Sequence, residues 1–563
     1  MKLYKKLILS LAALGLTSVC FAEDWDIEEQ TEPTVTIGGL VEVNGRAYIE
    51  ASESNYNADK EKIEYADRPD WDELKTVVFP KGKVNLTYSG ISSDVNLSLK
   101  FDKTSLYDGF YWDILDEFTA RAYVGNAQLE AGKMRVVWGK GDKVHVLDNF
   151  NANDYTDYII PDYIDRRISE PMFRAVYSTN NNIKFEAVYT PMMTPDRLAS
   201  SGVWQPKASK VLTSTVENLV KTQLATSLAT TIGIAANHPI DNNAYSAACE
   251  SLFKKLQFDA NSLYPDTNRL NYGQVGARST FTVGPVDLGV SYYLGREKTP
   301  TADTKKLVNA GIASEMTTTA LAASSDPAKQ YLASQIEANS ATTAYNAVLT
   351  PYMLGADLPS LDYEVIQVFG FEGATILFGR LNSRWEVAYN LTKDIAGDDP
   401  WVHNNSIAWV AGFDVDLPVH NINVNIQNNG KYILNNDKIG DKEFSPFAGT
   451  ALDTGFGGLL SKNVKYSYEE FDVDYDPNGI YTNNKLIVNI SDTWNHEKIK
   501  LDLKGIWGIE RGDVIVMPNL AFNIKDDFQL NLSGLFIWCK NEDSEFDGWE
   551  HNSFAQVGVK YTF

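Results

Sequence analysis

Segment after segment of this chain alternates apolar and polar residues at every second position, and the connections between those segments alternate short and long. Val95, Leu97, Leu99 and Phe101 interleave with Asn96, Ser98 and Lys100. Ile422, Val424 and Ile426 interleave with Asn423, Asn425 and Gln427, and Ile499, Leu501 and Leu503 with Lys500, Asp502 and Lys504. Ile183, Phe185, Ala187 and Tyr189 form one further apolar face, and Val286, Leu288, Val290, Tyr292 and Leu294 another. A period of two marks a strand with unlike faces. Short turns are expected at 89–93, 125–127, 179–182, 283–285, 416–420, 493–497 and 525–527, with another near 381–384. Longer linkers lie between them at 51–75, 102–115, 139–170, 190–268, 297–361, 393–404, 431–483, 508–513 and 540–550. The expected fold is all-β: a closed antiparallel transmembrane β-barrel of about 18 strands (roughly 16–20), with tight turns at one end and long loops at the other.

Hydropathy agrees with this reading only if the barrel is closed. After residue 22 no apolar stretch is long enough for a transmembrane helix, yet 12% of the 563 residues are aromatic. A barrel wall needs apolar residues only on alternate positions, so its mean hydropathy stays modest. The formal net charge of −24 excludes nucleic-acid binding, which needs a basic face. Cys20, Cys249 and Cys539 imply no disulfide framework.

The two ends of the chain assign a compartment. Lys2, Lys5 and Lys6 precede an apolar run from Leu7 to Val19, and Cys20-Phe21-Ala22 offers small residues for cleavage. Residues 1–22 are therefore expected to be a signal peptide, with 23–563 a single barrel. The last strand reads Gln556-Val557-Gly558-Val559-Lys560-Tyr561-Thr562-Phe563. Gln556, Gly558, Tyr561 and the terminal Phe563 resemble the signal by which bacterial outer-membrane barrels are recognised. That resemblance implies the outer membrane of a diderm bacterium, with membrane lipid and the barrel-assembly machinery as partners. A monomer is the expected state.

The third long linker carries the densest chemistry. Lys133 to Trp138 is expected to be its approach strand, followed by Gly139-Lys140-Gly141-Asp142-Lys143. The candidate lumen and constriction residues are Arg135, Trp138, Asp142, Lys143, Asp148, Asp154, Asp157, Asp162, Asp165, Arg166 and Arg167. Carboxylates and guanidiniums crowded into a narrow pore would select solutes by charge and dipole. Gly132-Lys133, Trp138-Gly139, Asp142, Asp148, Asn153-Asp154, Pro171 and Tyr189-Thr190-Pro191 are similar to the pattern of a broad group of proteobacterial and spirochaetal outer-membrane barrel proteins. The pattern has Ala152-Asn153-Asp154 here where that group has an Asn-Pro-x-Asp step. In general diffusion porins, which this chain also resembles in loop order, the third loop folds inward as an eyelet.

Other features are weighed against plain structural roles. Residues 207–262 and 303–350, within the external loops 190–268 and 297–361, have helical apolar spacing and are expected to hold amphipathic helical inserts. Asp474, Asp476 and Asn478, followed by Gly479, match the first half of a calcium loop, but Lys485 stands where its final Glu belongs. An Asx turn is the simpler reading, and a structural calcium is the only cofactor the sequence suggests. Inward positions read Glu42, Asn44, Arg46, Thr119, Arg121, Tyr123, Gln274, Arg278, Lys500, Asp502, Lys504, Gln529, Asn531 and Ser533, and such mixed charge suits a water-filled bore. His145, His238, His403, His420, His496 and His551 show no metal or nucleophile spacing, so catalysis is not expected. The functional expectation is a porin-like channel for passive diffusion of small hydrophilic solutes, narrowed by the third loop. The alternatives are an outer-membrane transporter of hydrophobic compounds and a surface adhesin or structural barrel.

Overall fold

A computed structural model describes residues 33–49, 75–142, 144–207, 264–302, 361–445, 472–525, 527–541 and 543–563, with scattered positions between 54 and 469. The expected signal peptide, Lys143 and nearly all of both helical inserts lie outside the described residues.

Eighteen strands form the wall. The first nine are β1 Thr34–Tyr48, β2 Thr76–Ser89, β3 Ser93–Phe101, β4 Leu115–Val124, β5 Ala127–Met134, β6 Glu170–Ser178, β7 Lys184–Thr190, β8 Gln274–Val283 and β9 Val286–Arg296. The second nine are β10 Val365–Leu377, β11 Leu381–Leu391, β12 Ser406–Asp416, β13 Asn423–Ile433, β14 Thr482–Trp494, β15 Ile499–Gly508, β16 Val514–Lys525, β17 Phe528–Trp538 and β18 Phe554–Thr562. Each pairs antiparallel with its neighbours in sequence. The cylinder closes where β1 meets β18, from Leu40 opposite Thr562 to Tyr48 opposite Phe554. Closure matters because an unpaired amide in hydrocarbon costs several kcal/mol, and a cylinder leaves no edge.

The alternation sorts the faces as expected. Val41, Val43, Val557, Val559 and Tyr561 point outward and are exposed, while Arg46 on the same seam is 3% exposed and turned inward. Exposed Trp507 and Trp538 stand near the loop ends of β15 and β17, and Tyr561 and Phe563 at the turn end of β18. Aromatic residues at both rims of an apolar belt are the mark of an outer-membrane barrel. The molecule is a closed, 18-stranded antiparallel β-barrel with the outward apolar face of a transmembrane barrel.

Among the boundaries that differ from the sequence reading, two matter most. The turn placed near 381–384 lies at 378–380, with Phe378 and Gly379 at positive φ, and the strand already begins at Leu381. Strand β5 ends at Met134 rather than at Trp138. Beyond it Arg135 gives its side chain to Asp116 and Glu117 instead of prolonging the ladder.

Candidate functional site: a loop fastened across the lumen

The segment 135–169 leaves the wall at β5 and returns at β6. Asn151 holds its limbs together. Its Nδ2 donates to the carbonyls of Met134 at 3.0 Å and Ile168 at 2.8 Å, and its Oδ1 accepts from the Val136 amide at 2.8 Å. Three bonds on one buried side chain hold the loop folded back on itself.

The first half of the loop docks on strands β7 to β11. Trp138 is 1% exposed and donates from Nε1 to Glu186 on β7 at 3.0 Å. Its ring meets Phe150 edge-on at 5.0 Å, and Phe150 meets Tyr293 of β9 edge-on at 5.2 Å. Gly276 on β8 makes room: a Cβ there would come within 2.8 Å of both Trp138 and Phe150. Val136, Leu147, Ile366, Val368 and Ala388 complete this buried apolar cluster. Glu386 on β11 then acts as a polar clasp. It accepts from the amides of Gly141 at 2.6 Å and Val146 at 2.8 Å, and His145 Nδ1 lies 2.8 Å from it. Gly139 sits at φ +105°, and a Cβ there would overlap the Glu386 carboxylate at 2.3 Å, so only glycine fits. Asp142 pairs with Arg384 of β11 and accepts from Asn425 of β13 at 2.6 Å.

The second half docks on the seam. Arg46 grips Asp157 through two bonds, 2.6 and 2.8 Å, with Phe79 and Phe554 rings 4.5 and 4.2 Å from its guanidinium. Tyr158 stacks on Trp204 of the fourth long connection at 5.1 Å, beside Phe546 and Trp549 of the last one. Ile515, Leu535, Ile537 and Phe554 supply the wall beneath them. The lumen at this level is therefore lined by apolar side chains on two sides, with the loop wedged between.

Most of the charges singled out from the sequence are paired rather than free. Arg167 meets Asp148 at 2.7 Å, and Tyr163 donates to the same carboxylate. Burial pushes the Asp148 carboxyl up, against the pull of Arg167. Asp154 pairs with Arg197 at 2.8 Å, and Asp165 with Lys81 at 2.9 Å. Asp162 precedes the short helix Tyr163–Arg166 without capping it by side chain. Arg166 lies over the Tyr155 ring, 6.0 Å from its centroid. Burial draws the Arg166 guanidinium below its usual range.

The wall facing this loop carries its own chain of ion pairs. Arg121 meets Glu130 at 2.5 Å, Glu130 meets Arg174 at 2.9 Å, and Arg174 meets Glu186 at 2.7 Å; Arg278 pairs with Glu372. The inward arginines Arg46, Arg121, Arg135 and Arg278 are thus each neutralised by a named carboxylate.

Sequence reasoning missed Glu186, Arg384, Glu386 and the Tyr158–Trp204 stack. The signal for two of them was available. Arg384 and Glu386 alternate with Trp385 and Val387, which marks them as inward charges on a strand. Glu386 reaches Val146 across 240 residues of sequence, and nothing local announces the partner.

Outside the loop, Asp474 accepts from the Asn404 amide at 2.6 Å and lies 2.8 Å from His403 Nδ1. Asp476 pairs with Arg511 and accepts from the Asn478 amide at 2.9 Å. Among the described residues no group of three or more His, Cys, Asp or Glu is arranged to hold a metal ion. Cys539 is a free thiol.

No family model matches the sequence, and no curated protein matches it significantly. Solved structures similar to it include OccK11 (OpdR) of Pseudomonas aeruginosa, at 6% identity, TM-score 0.39, over 96% of this chain and 99% of that one. A BenF-like porin from Pseudomonas fluorescens Pf-5 aligns at 7% identity and TM-score 0.39, over 95% and 98%. Wzi, an outer-membrane carbohydrate-binding β-barrel involved in group 1 capsule assembly in Escherichia coli, aligns at 10% identity and TM-score 0.38, over 93% and 84%. The barrel assignment rests on the strand ladder itself, not on these likenesses.

Proposed function

We propose that this protein is a passive outer-membrane channel for small hydrophilic solutes, with the segment 135–169 as its constriction. One observation supports the reading above others. The loop is anchored on opposite walls, at Arg384 and Glu386 of β11 and at Arg46 of β1, so it crosses the bore rather than lying along one side. Below it the inward positions are polar, and a polar bore is what water and hydrophilic solutes require. Because most of its described charges are paired, the constriction filters mainly by width and local dipoles, with net charge a smaller influence. The apolar clusters around the loop are filled by the protein's own buried side chains, which disfavours a greasy transport path.

Reconstitution in planar bilayers tests this. The protein is expected to open discrete pores, and deletion of 143–168 is expected to raise their conductance. Absence of any pore from folded protein refutes the channel. Unchanged conductance after the deletion, with heat-modifiable migration retained, refutes the constriction alone.

A further inference from the structure

The two halves of the inner wall differ in chemistry. The β4–β8 side is the chain of ion pairs described above. On the other side, inward residues of consecutive strands stand directly opposite one another in register. Asn423 of β13 faces Ser491 of β14, which faces Asp502 of β15, then Asn519 of β16, Ser533 of β17 and Gln556 of β18. Gln556 in turn faces Arg46, and Arg46 Nε donates to its side-chain oxygen at 3.0 Å. Five of these six row residues are uncharged amides or hydroxyls, and Asp502 is the exception.

The row climbs. Asn423 is the first residue of its strand, at the turn end, while Arg46 is two residues from the loop end of β1 and holds the constriction loop through Asp157. Above the row the same strands become apolar at Ile515, Leu535, Ile537 and Phe554, where the loops are seated. Nearby, Asn489 and Gln427 also face inward, and their amide oxygens are buried without a hydrogen-bond partner among the described residues. Gln427 does donate to Asn425, which donates to Asp142 of the constriction loop.

We propose that this row is a hydrogen-bonding ramp for neutral polyhydroxylated solutes, of which sugars are the chemical class. The inference rests on the channel reading. A primary amide presents two donors and a carbonyl acceptor, and a serine hydroxyl both donates and accepts. A sugar hydroxyl also does both, so it finds a partner on the ramp in either orientation. Neighbouring strands stand about 4.8 Å apart, so a ring can exchange one set of partners for the next without losing all of them. The amides and hydroxyls carry no charge to attract an ion, and the charged point within the row is Asp502, flanked on its own strand by Lys500 and Lys504. The ionic side of the wall is spent on itself, since each named arginine there is matched by a glutamate.

Ion current through reconstituted pores is read while maltotriose, and separately the anionic lactobionate, is added. Maltotriose is expected to block current reversibly at a lower concentration than lactobionate. N519L/S533V is expected to keep ion conductance and raise the half-blocking concentration of maltotriose about fivefold or more, the equivalent of one lost hydrogen bond. Ser491→Val serves as a second variant if the first fails to migrate as a folded barrel. Open pores that maltotriose does not block, or that lactobionate blocks as well, overturn the ramp and leave the channel standing. Unaltered block in both variants also overturns it. If no pore opens, the channel reading falls, and maltotriose titrated into the detergent-solubilised protein by calorimetry must then show no binding for the ramp to fall with it; binding weakened by N519L/S533V retains it as a sugar site.

Discussion

Replacing Asp157 by alanine would strand the Arg46 guanidinium at the barrel seam. That arginine side chain is 2% exposed, whereas the aspartate is 30% exposed, so the pair is buried on one side and half open on the other. Breaking a fully buried pair by removing one partner costs about 3–5 kcal/mol. Partial exposure of Asp157 lets water reach the guanidinium, which lowers the expected cost to about 2–3 kcal/mol. At about 1.4 kcal/mol per factor of ten, the docked and undocked states of the second half of the loop shift by roughly 30- to 150-fold. Because Tyr158 still stacks on Trp204, the loop is expected to fluctuate rather than leave. Single-channel recordings of Asp157→Ala should then show frequent excursions to a higher conductance level. Arg46→Lys should show them too, since an ammonium cannot make the two parallel bonds. R46M/D157L replaces the pair by apolar groups of similar size and should be quieter than either single variant. Traces from Asp157→Ala indistinguishable from those of the native protein, in a barrel shown to be folded, would refute the anchoring argument.

Gly39→Val should prevent barrel closure: a Cβ at Gly39 would stand 2.3 Å from the Lys83 carbonyl oxygen and 2.7 Å from the Phe563 ring, so loss of heat-modifiable migration is expected. Burial lowers the pKa of His403, but its bond to Asp474 outweighs this and raises it above its ordinary 6.5. Burial likewise raises Asp474, but His403 outweighs it and lowers the carboxyl below 3.8. The histidine's contribution is complete below pH 6.5 and fades as pH rises through its raised value; that of the aspartate is complete above pH 3.8 and fades as pH falls through its lowered value. Hydrogen exchange at the Asn404 amide, which donates to Asp474, should therefore be slowest, after correction for intrinsic rates, between those limits; faster exchange at pH 5 than at pH 9 would contradict this. The Asp474 and Asp476 carboxylates already accept from protein donors, so chelation of calcium should leave the melting temperature unchanged, and a clear drop would restore the calcium reading.

The wall was legible because its code is local. Successive strand residues point to opposite faces by backbone geometry alone, so alternation near Leu97, Val424 or Leu501 identifies a strand and its inward side without knowledge of its neighbour. The hairpin turns were equally visible, except at 378–380, where Phe378 takes a positive φ that aromatic residues rarely adopt. The third loop was legible as a location and only partly as a mechanism. Its acidic and basic residues and Trp138 stood out, but Leu147 and Phe150, which help to seat it, read as ordinary apolar positions.

What anchors the loop was settled only in three dimensions. A carboxylate on β11 caps amides of residues 141 and 146, an arginine on β1 holds residue 157, and a tryptophan from the fourth connection stacks on residue 158. Alternation states which way a side chain faces but not which strand stands opposite it across the cylinder. That depends on strand number and register summed around the whole circumference, and no window of sequence contains it.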